Sequence, residues 1–453
     1  MTPKGITGRQ GVMGHGTFPR GEYRDLAGRL RRGSVAMVEP QDPSARRAWQ
    51  EILEILFSPE DAALAARLPV LPTPVEALTG RTGMHAELLR ARLEAMADRG
   101  LVLDLHDRRT GTTTYMLAPP VVGFFEFSMM RLSDGLPKAR LARAYEAYMD
   151  GDTAFLEEVS GAVTVVGRTL VHETALHDDI LPEVLDWERA SSCLETAELV
   201  GITNCFCRHA AEHLGTRCDY PMETCMSLGG AAGYLIRHGL ARPISREEGL
   251  EFLAAAREAG LVHIADNVQQ DVTYICSCCK CCCHELRSVQ MGLPVVQPSG
   301  LQPAHDGELC TGCGRCVRAC PVQAISLVPR SPRLSDGEET SKRLLSHIDL
   351  DRCLGCGVCA GVCRDDALKM ERRPRPPHVP LNAVEYLTRR MLERGRLADL
   401  LVDGTAGRGP AFANAVLGAV LSLPPAEKLL ASKQVQSRFV RFALSSEQRH
   451  TRL

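Results

Sequence analysis

The sequence predicts an α+β protein of several domains, and three observations carry that prediction. Helix-periodic segments with capping signals lead into a β-hairpin pattern between residues 48 and 120. Two stretches, starting at Cys310 and Cys353, repeat one cysteine spacing. Further helical patterns fill the middle and the end of the chain. At 453 residues there is room for about two to four domains. A formal net charge of −2 argues against a protein whose main task is coating nucleic acid.

Residues 1–47 are rich in Gly and Arg and show little periodicity, so a flexible basic arm is expected there. From 48 to 120 the pattern sharpens. Ser58 precedes Pro59 as a helix N-cap, and Thr73, Pro74 and Glu76 suggest a capping box. A third helix starts near His85, carries Leu89, Leu93 and Met96 at helical spacing, and stops at Gly100. "LVLDL" and "TTTYML" flank a polar turn and read as a hairpin. Three helices and a hairpin in this order resemble the winged-helix superfamily. Arg90, Arg92 and Arg99 on the third helix alternate with Glu87, Glu94 and Asp98, and Arg108 and Arg109 sit at the hairpin tip. A DNA reader shows a clearer basic face, so the resemblance points to docking ahead of DNA binding.

Residues 121–300 read as a mainly helical, cysteine-rich domain, with helical patterns at 136–149, 181–200 and 245–260. Cys193 falls at a core position of the second of these. Ser245 and Glu248 mark the start of the third, and Gly260 its end. Two cysteine blocks flank the third pattern. The first is C-x-C-x10-C-x6-C: Cys205, Cys207, Cys218 and Cys225, with Arg208 and His209 beside it. The second, "ICSCCKCCCH", holds Cys276, Cys278, Cys279, Cys281, Cys282 and Cys283. The four thiols of the first block can close around one metal centre, with Arg208 offsetting thiolate charge. Six thiols in eight residues cannot all serve one four-coordinate site, so some must point elsewhere. Three readings stay open: further iron–sulfur clusters, zinc or another thiophilic metal, and a redox-active thiol device.

Residues 301–375 are the most informative. Cys310, Cys313, Cys316 and Cys320 align with Cys353, Cys356, Cys359 and Cys363 as two copies of C-x2-C-x2-C-x3-C. This is the run of the bacterial two-cluster ferredoxins, which the segment resembles. That resemblance implies a βαββαβ-type domain with two 4Fe-4S clusters, one on Cys310, Cys313, Cys316 and Cys363, the other on Cys353, Cys356, Cys359 and Cys320. Gly312, Gly314, Gly355 and Gly357 suit loops that approach a cluster closely. Arg364 replaces the proline that follows the first motif (Pro321), and a polar insert separates the motifs. Structural zinc, which wants paired C-x2-C knuckles, fits this spacing poorly.

From about Leu181 to Met370 the whole pattern is similar to 4Fe-4S ferredoxin-domain proteins of anaerobes that carry a cysteine-rich segment before the ferredoxin repeat. The resemblance implies a cofactor and a redox role but no substrate. Residues 376–453 are expected to be helical. Within them 426–446 has a basic face from Lys428, Lys433, Arg438 and Arg441, which suits partner docking or peripheral membrane contact. "DGTAGRGP" (403–410) lacks the strand and Lys-Ser/Thr pair of a phosphate loop. No apolar run reaches membrane-span length, and the N-terminus lacks an apolar signal region. With nineteen cysteines in the chain, the expectation that follows is a reducing cytoplasm in which all of them but Cys193 serve as metal ligands.

The expected function is therefore one-electron transfer to or from a redox partner protein, through two clusters and one or two more upstream, with zinc as the alternative occupant there. Two other readings remain: a redox- or metal-responsive winged-helix regulator, and an oxidoreductase subunit whose cysteine-rich segment is catalytic.

Overall fold

Tyr23, Leu26 and Leu30 recur at helical spacing, and the helix Gly21–Leu30 buries all three. The Tyr23 hydroxyl donates to the Phe57 carbonyl at 2.8 Å, and Arg29 donates to the carbonyls of Leu68 and Pro69 at 2.6 and 2.7 Å. Residues 21–47 are thus packed, and the expectation of a flexible arm is corrected for them. The computed structural model describes residues 21–107, 110–330, 344–402 and 408–421. Residues 1–20, Arg108, Arg109, most of the ferredoxin insert and the basic stretch 426–446 lie outside these.

The structure is mixed α/β, with four sheets among the described residues. Ser58 caps the helix Pro59–Ala65 with a reciprocal capping box to Asp61. Thr73 does not cap: Thr73–Pro74 is strand β1, and the helix Val75–Thr82 starts behind it without a side-chain cap. The helix Ala86–Ala97 follows, then β2 (Val102–Asp107) and β3 (Thr112–Leu117), giving a sheet ordered β1-β3-β2.

Residues 121–300 depart most from expectation. They contain helices, but at their centre lies a seven-stranded sheet that the sequence reading missed. Its strands are β4 (Gly167–Thr169), β5 (Val200–Asn204), β6 (Glu223–Leu228), β7 (Arg242–Ile244), β8 (Val262–Asp266), β9 (Tyr274–Cys278) and β10 (Val296–Gln297), in the order β10-β4-β8-β9-β6-β5-β7. All pairings are antiparallel except β10 with β4. Strands β5 and β8 are buried along four consecutive residues, so the alternation that betrays a half-exposed strand is absent. Residues 181–200 likewise hold short helical turns, the helix Ala190–Glu195 and, at Val200, the start of β5.

Strand β11 (Leu301–His305) pairs with β14 (Leu368–Arg372), and β12 (Ile325–Pro329) pairs with β13 (Leu344–Ile348). The short helices Arg315–Ala319 and Val358–Gly361 lie between them in the chain. The helices Ala383–Glu393, Leu397–Leu401 and Arg408–Leu421 follow. Buried Arg390 ties the first of these back to the body, donating to the carbonyls of Ser34 and Thr164 at 2.8 Å. No helix among the described residues is long and apolar enough to cross a membrane.

An aromatic cluster sets up the cysteine region. Phe57, Phe124, Phe125 and Tyr145 pack ring to ring, and Tyr145 meets Phe206 with centroids 5.5 Å apart. Phe206 lies between Cys205 and Cys207, so this core holds the first cysteine pair in place.

Candidate metal centres

Strand alternation sorts the second cysteine block. Cys276 and Cys278 stand two residues apart on β9 and share one face, Ser277 is directed to the other, and Cys279 follows the end of the strand. Cys225 on β6 lies directly opposite Cys276. Cys205 ends the segment after β5, its amide donating to the Met222 carbonyl at 2.8 Å, and Cys207 sits in the first turn of the helix Phe206–His213. Cys283 is the N-cap of the helix His284–Gln290.

These six thiols close into a ring. Cys205 touches Cys207 and Cys225, Cys276 touches Cys225 and Cys278, and Cys283 touches Cys207 and Cys278. Hydrogen bonds from their neighbours hold Cys205 and Cys283 well below the usual thiol range and bring Cys276 down to about 6. Their partners Cys207, Cys225 and Cys278 are pushed well above it by the same bonds. All six line a cavity of about 1130 Å³.

The other four upstream cysteines form a separate group. Cys218, Cys279, Cys281 and Cys282 bring their Sγ atoms within 4.8 Å of one another. Cys218 lies 3.7 Å from Cys279 and 3.5 Å from Cys282, and Cys282 lies 3.9 Å from Cys281. The expectation that Cys205, Cys207, Cys218 and Cys225 close on one centre is thereby corrected. The loop after the helix Phe206–His213 carries Cys218 away to the end of β9. Cys193 lies apart from both groups, buried in a second core with Leu194, Ile202 and Leu253.

Arg208 stands between the two groups, fully buried, with bonds to the Thr224 hydroxyl, to the Pro221 carbonyl at 3.2 Å and to the Ser277 carbonyl at 3.0 Å. Burial opposes its charge, but the thiols of Cys205, Cys279 and Cys225 raise its pKa above the usual guanidinium value. Two acids that the sequence reading did not single out border the ring. Burial and then Cys283 and Cys276 push the Glu285 carboxyl well up. Burial raises Glu126 to about 7, against a 2.8 Å bond from the Gly123 amide. The signal for Glu126 was available, since "FFEFSMM" sets one charge within an apolar run.

In the ferredoxin repeat, Gly312 and Gly355 take φ values of +67° and +66°. A Cβ at Gly312 would collide with the Leu344 carbonyl, and one at Gly355 with the Leu301 carbonyl. Side chains are therefore excluded where the loops fold against neighbouring strands. Backbone amides turn toward the sulfurs: Ala324 donates to Cys320 at 3.2 Å and Gly355 to Cys353 at 3.4 Å. Cys320 of the first motif lies in the electrostatic field of Cys353, Cys356 and Cys359 of the second. No three of the eight repeat cysteines bring their Sγ atoms within 4.8 Å of one another. Wide thiol spacing, inward amides and glycine-lined loops fit a cluster with its own volume.

Residues 309–367 match the 4Fe-4S dicluster domain family. No curated protein and no solved structure matches the chain. The dicluster segment supports iron–sulfur binding and electron transfer, and implies a redox partner.

The dicluster segment and the upstream cysteines are in direct contact. Gln290 donates to the Pro321 carbonyl at 2.8 Å and to the Lys280 carbonyl at 3.0 Å, and Lys280 donates to the Arg318 carbonyl at 2.7 Å. The turn holding Cys279, Cys281 and Cys282 is thus pinned to the corner after Cys320. A second contact runs from the Cys356 carbonyl, which accepts from the His172 amide at 2.9 Å. The His172 ring packs on His263, centroids 5.2 Å apart, and His263 Nδ1 meets the Ser277 hydroxyl at 3.2 Å. Burial lowers His263 to about 3, so it stays neutral.

Proposed function

We propose that this chain is an iron–sulfur electron-transfer protein whose dicluster segment exchanges electrons with a metal centre on the upstream cysteines. Cys310, Cys313, Cys316 and Cys363 hold one 4Fe-4S cluster, and Cys353, Cys356, Cys359 and Cys320 hold the other. When bound, these clusters supply one-electron chemistry. The chain's own residues set the cluster positions, turn amides toward the sulfurs, and keep the two regions in contact. The bridge from Gln290 to Pro321 and Lys280 carries this reading, because it joins the two cysteine-bearing regions through one side chain. Strand β11, the helix Arg315–Ala319, β12, β13, the helix Val358–Gly361 and β14 follow a βαββαβ order, which supports the ferredoxin-type assignment.

The element order of segment 48–120 and its β1-β3-β2 sheet support a winged-helix reading. Arg90 pairs with Glu76, and Arg99 with Asp61. Its β2 strand is engaged internally: Tyr234 donates to the Val102 carbonyl at 2.9 Å, and Arg237 and His238 bond to Asp104. These contacts favour a docking module over a DNA reader. None of the nineteen cysteines is joined in a disulfide, which suits a reducing compartment such as the cytoplasm.

A second reading, an oxidoreductase with its substrate at the thiol ring, is favoured by the cavity of about 1130 Å³ bordered by Glu126 and Glu285. The test is anaerobic purification of the full chain, dithionite reduction, and electron paramagnetic resonance of the wild type and the variant C353S/C356S. Two interacting cluster signals in the wild type, and slowed reduction of the upstream centre in the variant, are expected. Absence of cluster iron from the wild type, or unchanged upstream reduction in the variant, would overturn the proposal.

A further inference from the structure

We infer that four of the ten upstream cysteines, Cys218, Cys279, Cys281 and Cys282, bind a single metal ion as a tetrathiolate, apart from the ring of Cys205, Cys207, Cys225, Cys276, Cys278 and Cys283. The inference stands on its own geometry and does not rest on the electron-transfer reading.

The four-thiol group has the dimensions of one ion. A metal–sulfur bond of about 2.3 Å gives a tetrahedral S···S edge of about 3.8 Å. The three measured separations, 3.7, 3.5 and 3.9 Å, bracket that edge. A cubane would force its thiolates apart by its own width, as in the repeat cysteines, where no three sulfurs gather within 4.8 Å. Backbone amides also point at these sulfurs: Cys282 donates to Cys279 at 3.4 Å, Tyr220 to Cys218, and Cys218 to Cys282. Four ligands leave no open position, so this is a structural or electron-carrying site. Zinc and iron both accept four thiolates, and the counts below distinguish them.

The six-thiol ring does not share this shape. No three of its sulfurs gather within 4.8 Å of one another, whereas sulfurs around a single ion are mutual neighbours. The four-thiol group has the arrangement that a lone ion requires, and the ring does not.

The experiment is a count of zinc, iron and acid-labile sulfide per chain on anaerobically purified full-length protein. It compares the wild type with C218S/C282S, C207S/C278S and C193S. C218S/C282S is expected to lose one zinc, or one iron, with no sulfide. C207S/C278S is expected to keep that ion, and C193S to lose nothing. Loss of about four irons with sulfide from C218S/C282S would place a cubane there and overturn the inference. Loss of the lone ion from C207S/C278S, with C218S/C282S keeping it, would overturn it too. A wild type lacking the roughly eight irons of the dicluster segment would instead sink the electron-transfer proposal. If C218S/C282S fails to fold, X-ray absorption of the wild type decides the inference. A zinc or iron ion with four sulfurs at about 2.3 Å and no neighbouring iron supports it, and the absence of such an ion overturns it.

Discussion

Cys225 and Cys276 face each other across strands β6 and β9, although they belong to different cysteine blocks. That register makes one ring out of two stretches of sequence. Past the end of β9, Cys279 leaves the ring and meets Cys218. Cysteine partnership in this protein is thus a matter of sheet pairing, and nearness in the chain is a poor guide to it.

Replacing Arg208 should affect stability and electrochemistry together. Arg208→Gln removes the buried cation between the two thiol groups, and losing one partner of a buried charge network costs about 3–5 kcal/mol. The denaturation midpoint of the anaerobic protein should fall accordingly. The reduction potential of the upstream centre should also fall, because its negative charge is less compensated. A redox titration monitored by electron paramagnetic resonance checks this, with the dicluster signals as the unchanged internal standard.

Cys320 is the residue to test for ligand crossover. It belongs to the first motif, yet its neighbours are Cys353, Cys356 and Cys359. Cys320→Ser should disturb the cluster of the second motif and leave that of the first. About half of the dicluster iron should be lost, along with the magnetic coupling between the clusters. Loss confined to the first-motif cluster would refute crossover.

The glycine loops offer a paired test. Gly355 holds φ +66° against the Leu301 carbonyl, whereas a Cβ at Gly361 meets nothing within 4 Å. A non-glycine residue in the left-handed region costs about 1–3 kcal/mol, and the collision adds to that. Gly355→Ala should therefore lower both stability and iron content, and Gly361→Ala should leave both near wild type. Thermal melts with iron assays on the two variants suffice.

His238 links the helix Gly229–Arg237 to β2. Burial works against its charge, but Asp104 and Asp98 raise its pKa above the usual 6.5. Its contribution is fully present below about pH 6.5 and is lost as pH rises through the raised value. Stability should decline by about 1 kcal/mol or less over that interval, and His238→Gln should flatten the dependence. Asp104 acts in the opposite sense: its pKa is lowered, burial notwithstanding, by His238 and Arg237. Its contribution is present above about pH 3.8 and lost as pH falls through the lowered value. Melts of both proteins between pH 6 and 9 separate the histidine term.

The sequence by itself determined the dicluster repeat. Cluster loops are local, with three cysteines and their glycines inside one short turn, so the spacing from Cys310 to Cys320 and from Cys353 to Cys363 is readable without a fold. It also marked the Ser58 cap, the helix starting near His85 and the hairpin, because capping and turn chemistry act over a few residues. Only the tertiary structure decided how ten upstream cysteines divide. Strands β5 and β8 are buried on both faces and show no alternation, so the sheet that pairs Cys225 with Cys276 left no periodic trace. Glu126 meets the ring only once distant segments pack, whereas Glu285 stands two residues from Cys283. Long-range strand pairing brings these groups together, and no local spacing encodes it.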